Sequence, residues 1–187
     1  SEEAGKEGIQ KQGSYKLALG LHNLGFENAD IYIFDMCGRG DALIFSLSGI
    51  YGREVGKTSS LQALHKRAVF SAHSLAIPHF SMLTAYSDNA GFVAAGLNAQ
   101  LVTVLPMKEA CVLAKYLGGE RDELYAKVLD VVLKNERIPS SSKISQIVPQ
   151  TWQFMHSPQD SIETLTDTTF HLVFSYMKKI SATMEKW

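Results

Sequence analysis

The sequence predicts an α/β fold, a three-layer sandwich in which helices flank a mostly parallel central β-sheet. Short runs of apolar and β-branched residues, typical of buried strands, alternate along the chain with longer segments of helical periodicity. Gly and Pro residues separate the two kinds of segment. Because strands that alternate with helices usually pair in parallel, the pattern favours a layered α/β domain over an all-helical or all-β one.

Four strands are predicted, at 30–35, 42–48, 80–84 and 99–105. The first reads Asp-Ile-Tyr-Ile-Phe-Asp and is almost entirely apolar, which indicates a strand buried on both faces of the sheet. Gly38 and Gly40 mark the turn that follows this strand, and Pro106 ends the last strand.

Six helices are predicted, at 6–24, 60–76, 91–95, 107–117, 120–135 and 161–184. Gly25 ends the first helix and Pro78 ends the second. Residues 138–151 are rich in Ser and Pro and are predicted to form a loop. Because no repeat or linker divides the chain, residues 1–187 are predicted to form a single domain.

The composition excludes several classes of partner. Hydrophobic residues make up 45% and charged residues 20% of the chain, as is ordinary for a globular protein. The net charge is −1, so nothing points to nucleic acid, and the apolar runs are too short to predict a membrane segment. Cys37 and Cys111 are predicted to be free, mostly buried thiols, which favours a reducing, cytoplasmic compartment.

Residue types that bind zinc occur at three places in the chain. Glu2 and Glu3 are adjacent, Asp35 ends the first predicted strand, and His156 lies in a loop before the last predicted helix. Loops at the carboxyl ends of strands form the sites of open α/β sheets, so these donors can converge on zinc, which accepts carboxylate oxygen and imidazole nitrogen.

Adjacent glutamates suit a metal-dependent hydrolase. In an extended segment neighbouring side chains point to opposite sides, so one carboxylate can bind the metal while the other faces the attacking water. The carboxylate that stays off the metal can then act as a general base towards that water.

Taken in order, these features resemble the C-terminal part of the catalytic domain in the zinc aminopeptidase/glutaminyl cyclase superfamily, whose members are exopeptidases with two neighbouring zinc ions. The segments that carry the resemblance are Glu2-Glu3, Phe34-Asp35-Met36-Cys37-Gly38, Tyr86-Ser87-Asp88-Asn89-Ala90-Gly91-Phe92 and Trp152-Gln153-Phe154-Met155-His156-Ser157-Pro158-Gln159-Asp160. The resemblance implies a single zinc-exopeptidase-like domain, truncated at its N-terminus, in which N-terminal strands of the sheet are missing.

The resemblance also assigns roles to four residues. Glu2 is the implied general base. Glu3 is an implied zinc ligand, Asp35 binds one zinc ion of the pair, and His156 binds the other alongside Glu3.

Five further residues have implied roles in supporting the site or lining a pocket: Cys37, Tyr86, Asp88, Trp152 and Asp160. Cys37 can be a metal ligand, a nucleophile or a buried thiol. Because no motif places a histidine near it, the sequence favours a buried thiol. Trp152 either lines the substrate pocket or packs against the C-terminal helix. Asn89 stands where the superfamily often has a histidine, which puts in doubt the fine tuning of the site rather than its class.

Part of the superfamily's ligand set is absent from the sequence. The two-zinc site also needs a His-x-Asp pair and a bridging aspartate, and none of the 6 histidines is followed by x-Asp. The zinc site is therefore predicted to be incomplete or absent in this chain, which we expect to bind zinc weakly and to be inactive alone. Missing strands would leave part of the sheet uncovered, which predicts self-association or pairing with the missing N-terminal segment.

The function implied by the resemblance is that of a metal-dependent, aminopeptidase-like exopeptidase. Such an enzyme hydrolyses the N-terminal peptide bond of a peptide substrate with metal-activated water. Two alternatives stay open. One is a glutaminyl cyclase-like, amide-processing relative, and the other is a non-catalytic α/β binding domain on the same fold.

Overall fold

The structure is a computed structural model that describes residues 8–47, 58–84, 87–117, 144–155 and 157–184. The described strands are β1 Asp30–Phe34, β2 Ala42–Ser46, β3 His79–Met82 and β4 Asn98–Leu105. The described α-helices are α1 Gly13–Asn23, α2 Thr58–Ser74, α3 Asn89–Ala94, α4 Met107–Leu117, α5 Gln150–Phe154 and α6 Asp167–Met184. Short 3₁₀ turns lie at Ile9–Lys11, Ile144–Gln146 and Ile162–Thr164.

The four described strands form one sheet in the order β1-β4-β2-β3. β1 pairs with β4 in parallel and β2 pairs with β3 in parallel, whereas β2 and β4 are antiparallel. The predicted α/β class with a mostly parallel sheet is confirmed at this level. The antiparallel pair arises because a short connection, 35–41, joins β1 to β2 without a crossover helix, and such a connection reverses the direction of the chain.

Helices cover both faces of the sheet. Alternate side chains of a strand point to opposite faces of the sheet. One face packs against helices α2 and α6 and is called the α2/α6 face. The buried core on the α2/α6 face consists of Leu43, Phe45, Ala68, Ala72, Val102, Val104, Val173, Tyr176 and Ile180. The opposite face packs against α1 and α3 at the β1 end, and against α4 and the segment 144–152 at the β2 end. This arrangement is compatible with a three-layer sandwich.

Burial along the sheet differs from the prediction at β1. Every residue of β1 is only half-buried, whereas β2 is buried throughout and β4 is buried along nearly its whole length. The prediction that β1 is buried on both faces is therefore wrong. Within the described sheet β1 lies at an edge and β2 and β4 lie in the middle, so position in the sheet outweighs the apolar character of the strand.

Two helix boundaries differ from the prediction. The predicted helix at 6–24 is described from residue 8 onwards, and there α1 begins only at Gly13, because Gln12 has extended backbone angles (φ −66°, ψ 146°) and separates α1 from the preceding 3₁₀ turn. The last predicted helix is a 3₁₀ turn followed by α6, and extended Leu165 (φ −75°, ψ 152°) lies between them.

The predicted loop at 138–151 also contains regular structure. A 3₁₀ turn covers Ile144–Gln146, and α5 begins at Gln150, directly after Pro149. The predicted helix at 120–135 lies outside the described residues.

The two cysteines are free, as predicted. Cys37 is half-buried, but Cys111 is exposed on α4, so the prediction of a mostly buried thiol is wrong for Cys111. Among the described helices, none is both long and apolar enough to span a membrane.

Candidate functional site

Asp35 follows β1 directly and is held at the carboxyl end of that strand. Its backbone N–H donates to the carbonyl of Val102 on β4 (3.1 Å). Its half-buried carboxylate accepts two hydrogen bonds, one at Oδ1 from the backbone N–H of Met36 (2.8 Å) and one at Oδ2 from the hydroxyl of Ser87. The carboxylate is therefore oriented by donors from two separate segments.

Ser87 is positioned by the start of α3. Its backbone N–H donates to Oδ1 of Asn89 (2.9 Å), and its carbonyl accepts from the N–H of Ala90 (2.9 Å). Asn89 is fully buried, and its Nδ2 atom is buried without a hydrogen-bond partner in the structure. Asn89 therefore anchors the serine that binds Asp35.

Residues 35–41, here called the crossover loop, pass over the carboxyl end of β4. Met36 has a left-handed backbone (φ 53°), and its carbonyl accepts from the hydroxyl of Thr103 (3.3 Å). Gly40 has φ 129° and packs so tightly that a Cβ there would lie 2.5 Å from the carbonyl oxygen of Leu105. Only glycine fits this combination of positive φ and close approach, so Gly40 sets the path of the loop.

The crossover loop contacts segments on both sides of His156 in the sequence. The guanidinium of Arg39 lies over the Phe154 ring, 5.1 Å from its centroid. The Gly38 carbonyl accepts from the N–H of Thr166 (3.0 Å), and the Gly40 carbonyl accepts from the hydroxyl of Thr169 (2.5 Å). His156 itself lies outside the described residues.

Cys37 is half-buried and packs against the core of the α2/α6 face. Its thiol donates to the carbonyl of Asp35 (3.4 Å) and lies 3.6 Å from that of Val102. Burial, together with the nearby charge of Asp35, raises the pKa of the thiol to about 12. Because the thiolate is the form that ligates metals and attacks electrophiles, the raised pKa disfavours both roles for Cys37 at neutral pH.

The structure describes three more of the predicted site residues. Asp88 is half-buried and precedes α3, but its side chain makes no capping hydrogen bond. Trp152 is 4% exposed and packs in the core cluster that includes Leu113 of α4. Asp160 is exposed. Glu2, Glu3, Tyr86 and His156 lie outside the described residues.

Asp35 fits the role of one metal ligand. Each carboxylate oxygen accepts one hydrogen bond and keeps a lone pair, and ligating carboxylates in metal sites are typically hydrogen-bonded in this way. Within the described part of the chain, no group of three or more His, Cys, Asp or Glu side chains is close enough to hold a metal ion. The other predicted donors fall outside that part.

Two residues of this site were not predicted from the sequence. Ser87 binds Asp35 across 52 positions in sequence, and Arg39 contacts Phe154 from the crossover loop. Ser87 belongs to one of the segments that carry the resemblance, and no other feature of the sequence pointed to a role for it in the site. No local pattern pairs either residue with its partner, because tertiary packing alone creates both contacts.

No family model, curated protein or solved structure matches this chain. The case for its function therefore depends on the residues and on their geometry.

Proposed function

We propose that this chain supplies ligands and the general base of an aminopeptidase-like, metal-dependent exopeptidase site. The observation that carries the proposal is the position of Asp35, a carboxylate oriented by Ser87 and Met36 at the carboxyl end of β1. Ligand sites in open α/β sheets lie at such ends, where loops converge.

The contacts of the crossover loop support a shared site for Asp35 and His156. β1 and β4 are parallel, so their carboxyl ends lie at the same edge of the sheet, and the crossover loop covers that edge. The loop contacts Phe154, two positions before His156, and also Thr166 and Thr169 after it. Described residues on both sides of position 156 therefore contact the loop that begins at Asp35, and this supports the proposal.

Each residue has a distinct role in the proposed site. Asp35 is a ligand of one zinc ion of the pair, Glu3 and His156 are ligands of the other, and Ser87 orients the carboxylate of Asp35. Zinc, when bound, would lower the pKa of the attacking water and polarise the substrate carbonyl. Glu2 accepts the proton of that water as general base. Because these donors are fewer than two zinc ions require, we expect this chain to bind zinc weakly.

The proposal is tested by calorimetric titration of the chain with zinc. We expect weak, saturable binding that is weakened further in Asp35→Asn and in His156→Ala, because each substitution removes a ligand of one of the two zinc ions. In Ser87→Ala the carboxylate loses its orienting hydroxyl, and we expect the affinity to fall about 10- to 100-fold. Exposed Glu163→Gln is the matched control and should leave binding unchanged. Unaltered affinity in both Asp35→Asn and His156→Ala would rule the proposal out.

A second assay separates the exopeptidase from its alternatives. Because the chain is expected to be inactive alone, this assay measures residual activity. The zinc-loaded chain is incubated with an aminoacyl p-nitroanilide and, separately, with a peptide that begins with glutamine. Zinc-dependent release of p-nitroaniline, lost in Glu2→Gln, would support the aminopeptidase. Cyclisation of the glutamine would favour the glutaminyl cyclase-like alternative, and the absence of any specific zinc binding would favour a non-catalytic domain.

A further inference from the structure

Three polar side chains form a hydrogen-bonded row on the α2/α6 face. His65 of α2 lies between Ser81 of β3 and Gln100 of β4. Its Nε2 is 3.1 Å from the Ser81 hydroxyl oxygen, and its Nδ1 is 3.1 Å from Oε1 of Gln100. These residues are called the Ser–His–Gln cluster below.

The contacts of Gln100 determine which nitrogen of His65 carries the proton. Gln100 is 2% exposed, and its Nε2 lies 2.9 Å from the carbonyl oxygen of Ser46 and 2.8 Å from that of Leu101. Only the NH₂ group can donate to two carbonyls, so the amide oxygen of Gln100 faces His65. An acceptor at that position requires a proton on Nδ1, which leaves a lone pair on Nε2 of a neutral imidazole.

The surroundings of the cluster keep His65 neutral and leave Ser81 open. His65 is half-buried and meets the Phe45 ring edge to face, with 6.1 Å between ring centroids. Burial lowers the pKa of His65, although the hydrogen bond to Gln100 opposes part of this effect. Ser81 is exposed and lies on β3, an edge strand of the described sheet, so its hydroxyl donates to a neutral imidazole while facing solvent.

We propose that Ser81 is a nucleophile that reacts with activated carboxylic esters, with His65 as its general base and Gln100 as a positioning residue. This is the arrangement in which a histidine activates a serine, because nucleophile, base and orienting group are joined by consecutive hydrogen bonds. Gln100 is neutral, so it fixes the tautomer without adding the charge that a carboxylate would supply.

The reaction balances without a further reactant. A bond forms between Ser81 Oγ and the acyl carbon, and the hydroxyl proton moves to Nε2 of His65. The ester C–O bond breaks, and the leaving group takes the electron pair. His65 gives its proton to the leaving group. Water then attacks the acyl-serine and passes one proton to Nε2 of His65, and the Ser81 oxygen leaves with the electron pair of the broken bond and takes that proton, which releases the carboxylic acid.

The cluster is separate from the site proposed around Asp35. Phe80 and Met82, the strand neighbours of Ser81, pack with α4 on the opposite face of the sheet. Ile31 and Ile33, which share the side of β1 that carries Asp35, pack there with α1 and α3. Failure of either proposal therefore leaves the other standing.

The test is reaction of the chain with p-nitrophenyl acetate, followed by release of p-nitrophenolate and by peptide mapping with mass spectrometry. We expect an acetyl group on Ser81 and its absence in Ser81→Ala. In His65→Gln the rate should fall at least about 100-fold, since general bases typically contribute that much. Ser74→Ala is the matched control, because exposed Ser74 donates its hydroxyl to the Ser71 carbonyl (2.8 Å) and should not affect the rate.

The pH profile adds a readout that a structural role for the cluster would not change. The rate should rise with pH and reach its plateau before about pH 6.5, the usual pKa of histidine. The plateau comes early because His65, whose pKa is lowered, is already neutral at that pH. Acetylation of Ser81 no faster than that of Ser74, or an unchanged rate in folded His65→Gln, would overturn the proposal. Because Ser81 is exposed, we expect Ser81→Ala to fold. This variant still tests the proposal if His65→Gln does not fold.

Discussion

At the scale of single residues, the end of β1 places two reactive side chains in opposite environments. The carboxylate of Asp35 is held by hydrogen bonds at the candidate site, whereas Cys37 packs against the core of the α2/α6 face with its pKa raised to about 12. Asp35 could be predicted from its residue type and its place at a strand end. Its partner Ser87 could not, because that contact spans 52 residues and depends on where α3 packs.

The contrast between the two thiols predicts their reactivity. With iodoacetamide at pH 8 we expect the exposed thiol of Cys111 to be alkylated and that of Cys37 to be protected, since Cys37 stays protonated and partly buried. Peptide mapping by mass spectrometry gives the two rates. In denaturant both thiols should react. Comparable alkylation of both cysteines in the native chain would contradict the described environment of Cys37.

At the scale of elements, a close approach between α1 and α3 holds the start of α3, where Ser87 binds Asp35. A Cβ on Gly91 of α3 would lie 2.5 Å from the backbone nitrogen of Tyr15 in α1. The sequence predicted helices at 6–24 and at 91–95, which lie near both positions. It did not predict which helices touch, since only the packed structure shows that Gly91 has no room for a side chain.

Two glycine substitutions test this packing. We expect Gly91→Ala to lower the free energy of unfolding by about 1–3 kcal/mol, because the methyl group forces the helices apart. Gly20→Ala is the matched control, since a Cβ there meets nothing within 4 Å, and it should raise the free energy by about 0.5–1 kcal/mol through helix propensity. Urea denaturation measures both values. Equal effects of the two substitutions would show that α1 and α3 are not in close contact.

At the scale of the whole molecule, helices cover both faces of a mixed sheet. The layered α/β class was predictable from alternating strands and helices, because local periodicity encodes it. The strand order and the antiparallel pairing of β2 with β4 were not, because they depend on how the crossover loop passes over the end of β4. The burial of β1 was mispredicted for the same reason, since sequence does not reveal which strand lies at an edge.

Packing of α2 on the sheet also predicts a pH dependence of stability. Burial lowers the pKa of His65 in the folded chain, so below about pH 6.5 the unfolded chain binds more protons than the folded one. Stability from this group is therefore fully present above that pH and is lost as pH falls towards the lowered value. Thermal unfolding between pH 7.5 and 5 should show a smaller fall in Tm for His65→Gln than for the original chain. An identical fall in Tm in both proteins would show that His65 does not contribute to the pH dependence of stability.

The central claim is that Asp35 and His156 serve one metal site, and zinc titration of the ¹⁵N-labelled chain followed by amide NMR tests it most directly. We predict that the amide signals of Met36, Ser87 and the residues beside His156 all shift when zinc is added, and that Asp35→Asn abolishes the shifts of Met36 and Ser87. Shifts confined to His65 and His79 on the α2/α6 face, with Met36 and Ser87 unaffected, would contradict the claim.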